Sequence, residues 1–280
     1  MALNLFYITN NPKIALIAER YGVDRIWVDL ETLGKEERQK NLNTVKSLHT
    51  VADVAAIKKL LTTAVMLVRV NPWNEGSQAE IDAVVAAGAD IIMLPMWKTP
   101  GEVYNFIRAV GGRTRTTLLL ETREGVECID EVLQIPGIDE IHIGLNDLHL
   151  SYGMTFMFEP LANGTVEALC AKFRAAGLPY GFGGVANIGA GWLPAEMIVL
   201  EHYRLGSTRA ILTRTFCNNQ LITDLDEIER IFSQNMGTLR DYENYAAGVD
   251  AETYEKNRTA VALCVEDVVR SLKEKRKCRV

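Results

Sequence analysis

The chain alternates short apolar runs with amphipathic segments. Eight of these runs predict buried strands, at residues 3–8, 25–30, 65–70, 90–95, 117–122, 140–144, 180–184 and 209–213. Runs that are apolar throughout are typical of strands buried on both faces of a parallel sheet. Strands that alternate with helices predict repeated βα units.

Glycines mark the ends of predicted helices. Residues 78–87 are followed by Gly88, and residues 101–110 are followed by Gly111, where glycine can adopt a left-handed cap. Eight βα units favour a closed (β/α)₈ TIM barrel over an open doubly wound sheet. The sequence contains no GxGxxG motif or P-loop after a predicted strand, which would have supported the open sheet.

The last part of the chain has helical signals only. Thr223 and Asp224 offer N-caps to a helix that ends at about residue 239, and residues 252–275 predict a second long helix. We therefore expect an α/β fold in which a barrel is followed by a C-terminal helical extension.

The predicted domain boundary lies after residue 216. Residues 1–216 form the barrel domain and residues 217–280 the extension. The extension can pack on its own barrel or on a neighbouring subunit, and we expect a homo-oligomer. Both arrangements use an apolar stripe made of Val261, Leu263, Cys264, Val268 and Leu272.

Composition narrows the class of protein. Apolar residues make up 48% of the 280 residues, but no uninterrupted apolar stretch approaches the ~18 residues that span a bilayer. The start of the chain lacks the basic head of a signal peptide, so we expect a cytoplasmic protein without a membrane partner. The five cysteines lack CxxC spacing, and the net charge of −6 gives no reason to expect nucleic acid.

Carboxylates stand at the ends of two predicted strands. Glu121 follows three leucines, and Asp147 follows the strand predicted at residues 140–144. A carboxylate in apolar surroundings is costly unless its charge is compensated, so two of them on neighbouring strands suggest a shared cation. Oxygen ligands suit hard divalent ions, and we expect Glu121 and Asp147 to bind Mg²⁺ or Mn²⁺.

Charged residues also end the second and third predicted strands. Asp29 and Glu31 are two residues apart and therefore project from one face of the strand. Arg69 ends an apolar strand, where burial requires an anionic partner from the protein or a substrate carboxylate. Arg69 alone favours a structural ion pair. Charged groups at four strand ends instead favour an active site at the barrel mouth, the end of the barrel where the C-terminal ends of the strands meet.

Four stretches, in this order, resemble the HpcH/HpaI aldolase and citrate lyase beta-subunit family. They are Val68-Arg69-Val70-Asn71, Gly88-Ala89-Asp90-Ile91-Ile92-Met93-Leu94-Pro95-Met96, Leu120-Glu121-Thr122-Arg123-Glu124-Gly125-Val126-Glu127 and Ile143-Gly144-Leu145-Asn146-Asp147-Leu148. The resemblance covers roughly residues 3–216. It implies a barrel enzyme that holds a divalent ion through Glu121 and Asp147 and makes or breaks a carbon-carbon bond through an enolate.

The resemblance also implies a small 2-oxo acid or an acyl-CoA-type substrate. Arg69 then stabilises negative charge on the carbonyl oxygen. Backbone amides of Gly144, Leu145 and Asn146 form an anion nest for a substrate carboxylate, and we assign Asp29 to substrate binding as well.

Two positions depart from the pyruvate aldolase branch, where a histidine and an aspartate form a base dyad. Thr32 and Ala86 stand at these places, and neither can act as a general base near neutral pH. His149 is the replacement acid-base candidate. Glu31 is either a second candidate or a charge partner for Arg69.

These observations predict a divalent-metal-dependent carbon-carbon lyase or aldolase. The alternative is a catalytically altered or non-catalytic barrel that binds a small carboxylate ligand or a protein partner. The missing dyad favours this alternative, whereas the presence of Arg69, Glu121 and Asp147 together favours the enzyme.

Overall fold

The computed structural model describes residues 2–34 and 49–277. Eight parallel strands pair in chain order and close into a barrel, because β1 also pairs with β8. The (β/α)₈ prediction is therefore confirmed, and each strand overlaps its predicted run. The strands are β1 (Asn4–Ile8), β2 (Arg25–Asp29), β3 (Val65–Arg69), β4 (Ile91–Leu94), β5 (Arg115–Leu120), β6 (Glu140–Ile143), β7 (Tyr180–Val185) and β8 (Arg209–Leu212).

Helices connect successive strands and cover the outside of the barrel. None of the helices in the described ranges is long and apolar enough to cross a bilayer. In chain order the barrel helices are α1 (Pro12–Arg20), α2 (Val51–Lys58), α3 (Ser77–Ala86), α4 (Pro100–Val110), α5 (Arg123–Glu127), α6 (Ile129–Val132), α7 (Leu145–Ser151), α8 (Glu159–Ala162), α9 (Thr165–Ala175) and α10 (Ala195–Leu205).

Side chains alternate between the barrel interior and the helices. In β2, Trp27 belongs to the apolar cluster inside the barrel, while Ile26 and Val28 pack in the larger core towards the helices. This alternation places Asp29 on the same face as Trp27, and the register pairs Asp29 with Arg69 of β3. The sequence of two adjacent strands thus brings opposite charges together at the barrel mouth.

The opposite end of the barrel contains a buried ion network. The carboxylate of Glu140 accepts hydrogen bonds from the guanidinium of Arg25, from Arg209 Nε at 2.9 Å and from Thr117 Oγ1 at 2.6 Å. Burial raises the pKa of Glu140, but the hydrogen bonds and the charges of the two arginines outweigh it and lower the pKa to about 2. This end is therefore held by paired charges.

Two long helices, α11 (Leu225–Gly248) and α12 (Ala251–Lys277), follow the barrel. Asp224 caps α11 as predicted, because its side chain accepts a hydrogen bond from the N–H of Asp226. The predicted end near residue 239 was wrong. The helix continues because polar side chains beyond that point have partners, as in Glu243, which is buried and accepts the N–H of Leu3 at 2.6 Å.

The extension packs on its own barrel, where α11 contacts α1 and α10, and α12 contacts α8 and α10. Val261 and Val265, one turn apart, are buried. Leu263 lies two residues after Val261, on another side of the helix, and is 59% exposed. The predicted apolar stripe is thus divided between a buried side and an exposed side.

Candidate active site

Arg69 forms the centre of a buried charge cluster at the mouth. Its Nε and Nη2 donate to the two carboxylate oxygens of Asp29, both at 2.8 Å. Nη2 also lies 3.2 Å from Glu31 Oε2, and the guanidinium stacks over the ring of Trp27 at 5.0 Å. Bidentate pairing fixes the plane of the guanidinium, so Asp29 and Glu31 orient Arg69 rigidly.

Glu121 lies just beyond the end of β5 and is buried. Its Oε1 accepts the backbone N–H of Met96 at 3.1 Å. Its Oε2 lies against Gly144, where a Cβ atom would be only 2.7 Å away. The residue after β6 must therefore be small for the carboxylate to occupy this place.

The pKa of Glu121 is affected by burial and by the charged groups around it. Burial raises the pKa of Glu121 well above its ordinary value, and the negative charges of Asp147 and Glu31 raise it further. Arg69 and the N–H of Met96 act in the opposite direction. Burial lowers the pKa of Arg69, but the surrounding carboxylates outweigh it and raise the pKa, so Arg69 stays charged.

Asp147 lies in the first turn of α7, directly after β6. The N–H of Gly144 completes the sheet by donating to Leu120 O at 3.0 Å. The amides of Leu145 and Asn146 are among the first of the helix, where N–H groups lack partners inside the helix. Substrate binding by these amides stays a prediction. Gly144, which has no side chain, allows the carboxylate of Glu121 to pack against it.

The histidines have different surroundings. His149 is buried, and its Nδ1 lies 3.3 Å from Leu145 O one turn earlier. A carbonyl oxygen only accepts, so a hydrogen bond here places the proton on Nδ1 and leaves Nε2 as the acceptor of a neutral ring. His142 is buried inside the barrel, where burial lowers its pKa to about 4.

Sequence reasoning gave no role to His49. Its Nδ1 accepts the backbone N–H of Asp29 at 3.0 Å, which places the imidazole beside the mouth and its proton on Nε2. Asn71 was also missed. Its Oδ1 accepts the N–H groups of Thr32 and Leu33 at 2.9 and 3.0 Å, and so fixes the segment that carries Glu31.

Glu121 and Asp147 are the residues that could hold a hard divalent ion. Each residue supplies carboxylate oxygens, and the raised pKa of Glu121 reflects burial together with the negative charge of its neighbours. Among the described residues, no group of three or more histidine, cysteine, aspartate or glutamate side chains is arranged to hold a metal ion. A two-carboxylate site instead leaves coordination positions for water and substrate.

The fold agrees with a comparison of the chain with protein families. The family model for HpcH/HpaI aldolase/citrate lyase matches residues 3–177. The chain belongs to this family. The match covers β1 to β6, which carry the charged cluster, while β7 and β8 complete the barrel beyond it.

Known relatives are similar at low identity. A hydroxypyruvate/pyruvate aldolase from Sagittula stellata is 27% identical over 139 residues, and the match covers 39% of this chain and 54% of that relative. The chain therefore spans about half the length of that curated relative.

Solved structures of low identity share the fold. An HpcH/HpaI aldolase from Desulfitobacterium hafniense has a TM-score of 0.61 at 16% identity, covering 76% of this chain and 86% of that one. The citrate synthase SbnG has a TM-score of 0.58 at 17% identity, with coverages of 87% and 95%.

Proposed function

We propose that the protein is a divalent-metal-dependent carbon-carbon lyase or aldolase that acts on a small 2-oxo acid or an acyl-CoA-type substrate. Membership of the aldolase/citrate lyase family supports a lyase activity. The observation that carries the more specific proposal is the mouth cluster, in which Arg69 lies beside the carboxylates of Asp29 and Glu31. The negative charge of Asp147 also contributes to the raised pKa of Glu121. Mg²⁺ or Mn²⁺ would be held by Glu121 and Asp147.

Arg69 is the electrophilic residue of this proposal. Breaking the bond next to a carbonyl moves the bonding electron pair towards the carbonyl oxygen, where negative charge develops. Among the described residues, the hydrogen-bond partners of Arg69 engage Nε and Nη2, so Nη1 is the nitrogen proposed to donate to this oxygen. A bound divalent ion would supply further positive charge there.

In the cleavage direction, a base must also remove the hydroxyl proton of the substrate. His149 is one candidate, because a hydrogen bond from Nδ1 leaves Nε2 able to accept a proton. Glu31 is the other candidate, although its contact with Arg69 supports the interpretation as a charge partner. Both of Asp29's carboxylate oxygens bind Arg69, so we now propose that Asp29 orients Arg69 rather than binding substrate directly.

A metal titration and a product assay test this proposal. Mn²⁺ binding followed by titration calorimetry should be lost in Glu121→Gln, while the fold is kept, because Glu121 lies beyond the strand end. Release of pyruvate from 4-hydroxy-2-oxo acids, compared with cleavage of acyl-CoA substrates, would identify the substrate class. Equal Mn²⁺ affinity in both proteins would contradict the metal assignment.

The alternative of a non-catalytic, carboxylate-binding barrel also has one specific observation behind it. Thr32, at the place of the dyad histidine, directs its hydroxyl to Asn71 Oδ1 at 3.3 Å and offers no base. Ligand binding without turnover of either substrate class, at any metal concentration, would favour this alternative.

A further inference from the structure

Met96 adopts a backbone conformation that is rare outside glycine. Its φ is 55°, and within residues 2–34 and 49–277 every other positive φ belongs to a glycine. An L-residue is strained in this region because its Cβ approaches the neighbouring carbonyl oxygen. Such strain persists where the surrounding structure imposes it, and it is concentrated at functional sites.

The strained residue lies at the mouth. Met96 comes two residues after the end of β4, and its N–H donates to Glu121 Oε1 at 3.1 Å. Neutral donors stabilise a buried carboxylate and fix its direction, because the bond to a charged acceptor is stronger than one between neutral groups. The unusual φ thus coincides with a bond to the proposed metal ligand.

A second bond joins the same two segments. The hydroxyl of Thr122, which follows Glu121, donates to Trp97 O at 2.6 Å and accepts the N–H of Gly125 at 3.0 Å. Trp97 itself is buried. Consecutive residues after β4 are therefore tied to consecutive residues after β5, which keeps Met96 in its strained conformation.

The hydrogen bond from the N–H of Met96 restricts the plane of the Glu121 carboxylate. With Oε1 held by Met96, Oε2 lies against Gly144, at the connection that leads to Asp147. A quarter-turn of the carboxylate would move an oxygen away from this connection, whereas a half-turn only exchanges the two equivalent oxygens. The position of one backbone N–H consequently restricts the orientation of the Glu121 carboxylate.

We propose that Met96 is a positioning residue whose left-handed backbone aims its N–H at Glu121 Oε1 and thereby presents Oε2 to the divalent ion shared with Asp147. The part that concerns the ion rests on the proposed function, whereas the orientation of Glu121 does not. Because the N–H belongs to the backbone, tolerance of positive φ at residue 96 determines the affinity, and side-chain size does not.

Three substitutions at residue 96 distinguish an effect of the backbone conformation on Mn²⁺ affinity from an effect of the side chain. Glycine and asparagine adopt positive φ readily, so Met96→Gly and Met96→Asn should keep the Mn²⁺ affinity within about threefold. Valine is β-branched and avoids positive φ. Met96→Val should lower the affinity by about 10–100-fold, the usual effect of losing a group that holds a metal ligand.

Gly112→Val is the matched control. Gly112 has a φ of 67° and lies between α4 and β5 at the other end of the barrel, where an added Cβ would meet no atom within 4 Å. The control introduces the same type of strain without touching Glu121, and its Mn²⁺ affinity should match that of the wild type. Thermal unfolding of each variant establishes that it is folded at the titration temperature.

The order of the Mn²⁺ affinities of the wild type and the three variants tests the proposal. The proposal is supported if Met96→Gly and Met96→Asn bind Mn²⁺ about as tightly as the wild type and Met96→Val binds it far more weakly. Retained affinity in Met96→Val overturns it, as does an equal loss in all three variants, because the side chain rather than the backbone would then be responsible.

A second measurement uses the metal-free protein and remains informative if the ion does not bind. The chain has eight methionines, so selective ¹⁵N-methionine labelling gives a simple amide spectrum, in which the peak absent from Met96→Asn belongs to Met96. Glu121→Gln should move this peak in the proton dimension, because the carboxyl oxygen that accepts the N–H of Met96 is replaced by an amide group. An unmoved peak refutes the hydrogen bond and with it the positioning role. A moved peak together with absent Mn²⁺ binding by the wild type would reject the proposed metal while leaving the orientation of Glu121 intact.

Discussion

Replacing Arg69 by leucine should lower both the stability of the fold and the rate of catalysis, and the two effects can be measured separately. Asp29 and Glu31 are each 2% exposed and lie against Arg69, so the substitution leaves two buried carboxylates without the charge of this guanidinium. Breaking a buried ion pair from one side costs about 3–5 kcal/mol, and we expect the free energy of unfolding to fall by this amount. Loss of one group that stabilises the developing oxyanion should lower kcat by about 10²–10³-fold.

The double variant Arg69→Leu, Asp29→Asn provides the control. Neutralising Asp29 removes one uncompensated charge, and it should recover more than about 1 kcal/mol of the lost unfolding free energy. Activity should not recover, because the donor to the substrate oxygen is still missing. Urea unfolding followed by circular dichroism gives the stability, and pyruvate release gives kcat.

Two results would refute this reasoning. A single variant that unfolds within about 1 kcal/mol of the wild type would mean that the buried pair gives no net stabilisation. A double variant that regains wild-type kcat would mean that Arg69 has no direct contact with the reacting substrate.

Three further outcomes are expected. The pKa of Glu140 is lowered from 4.5 to about 2, so its stabilising contribution of roughly 3 kcal/mol is present above pH 4.5 and is lost as the pH falls towards 2. Glu140→Gln should abolish this part of the acid dependence measured by urea unfolding. Gly144→Ala places a Cβ 2.7 Å from Glu121 Oε2 and should weaken Mn²⁺ binding roughly tenfold, whereas Gly237→Ala, with nothing within 4 Å, should leave calorimetric titrations unchanged. The predicted homo-oligomer would use exposed apolar groups such as Leu263 and Trp192, and a light-scattering mass equal to one chain would contradict it.

The barrel could be predicted because each strand is an apolar run with a helix after it. The same pattern located Asp29, Arg69 and Glu121, since a charged residue at the end of an apolar strand faces the mouth of a closed barrel. The bidentate pairing of Asp29 with Arg69 could not be predicted, because it depends on the register between β2 and β3.

Other features left no sequence signal. His49 reaches Asp29 from 20 residues further along the chain, and this separation predicts no contact. Positive φ at Met96 is imposed by tertiary bonds, and methionine itself gives no indication of it. The length of α11 depends on tertiary partners of Glu243, among them the N–H of Leu3 at the beginning of the chain.

Thermal unfolding with Mn²⁺, with oxalate and with both tests the metal-dependent site most directly. Oxalate resembles the enolate of pyruvate, and a ligand that binds only the folded protein stabilises it by about 2.7 kcal/mol at one hundred times its dissociation constant. We expect a rise in melting temperature that requires both Mn²⁺ and oxalate in the wild type and is absent in Glu121→Gln. Oxalate stabilisation that is independent of Mn²⁺ and equal in both proteins would contradict a metal site built on Glu121.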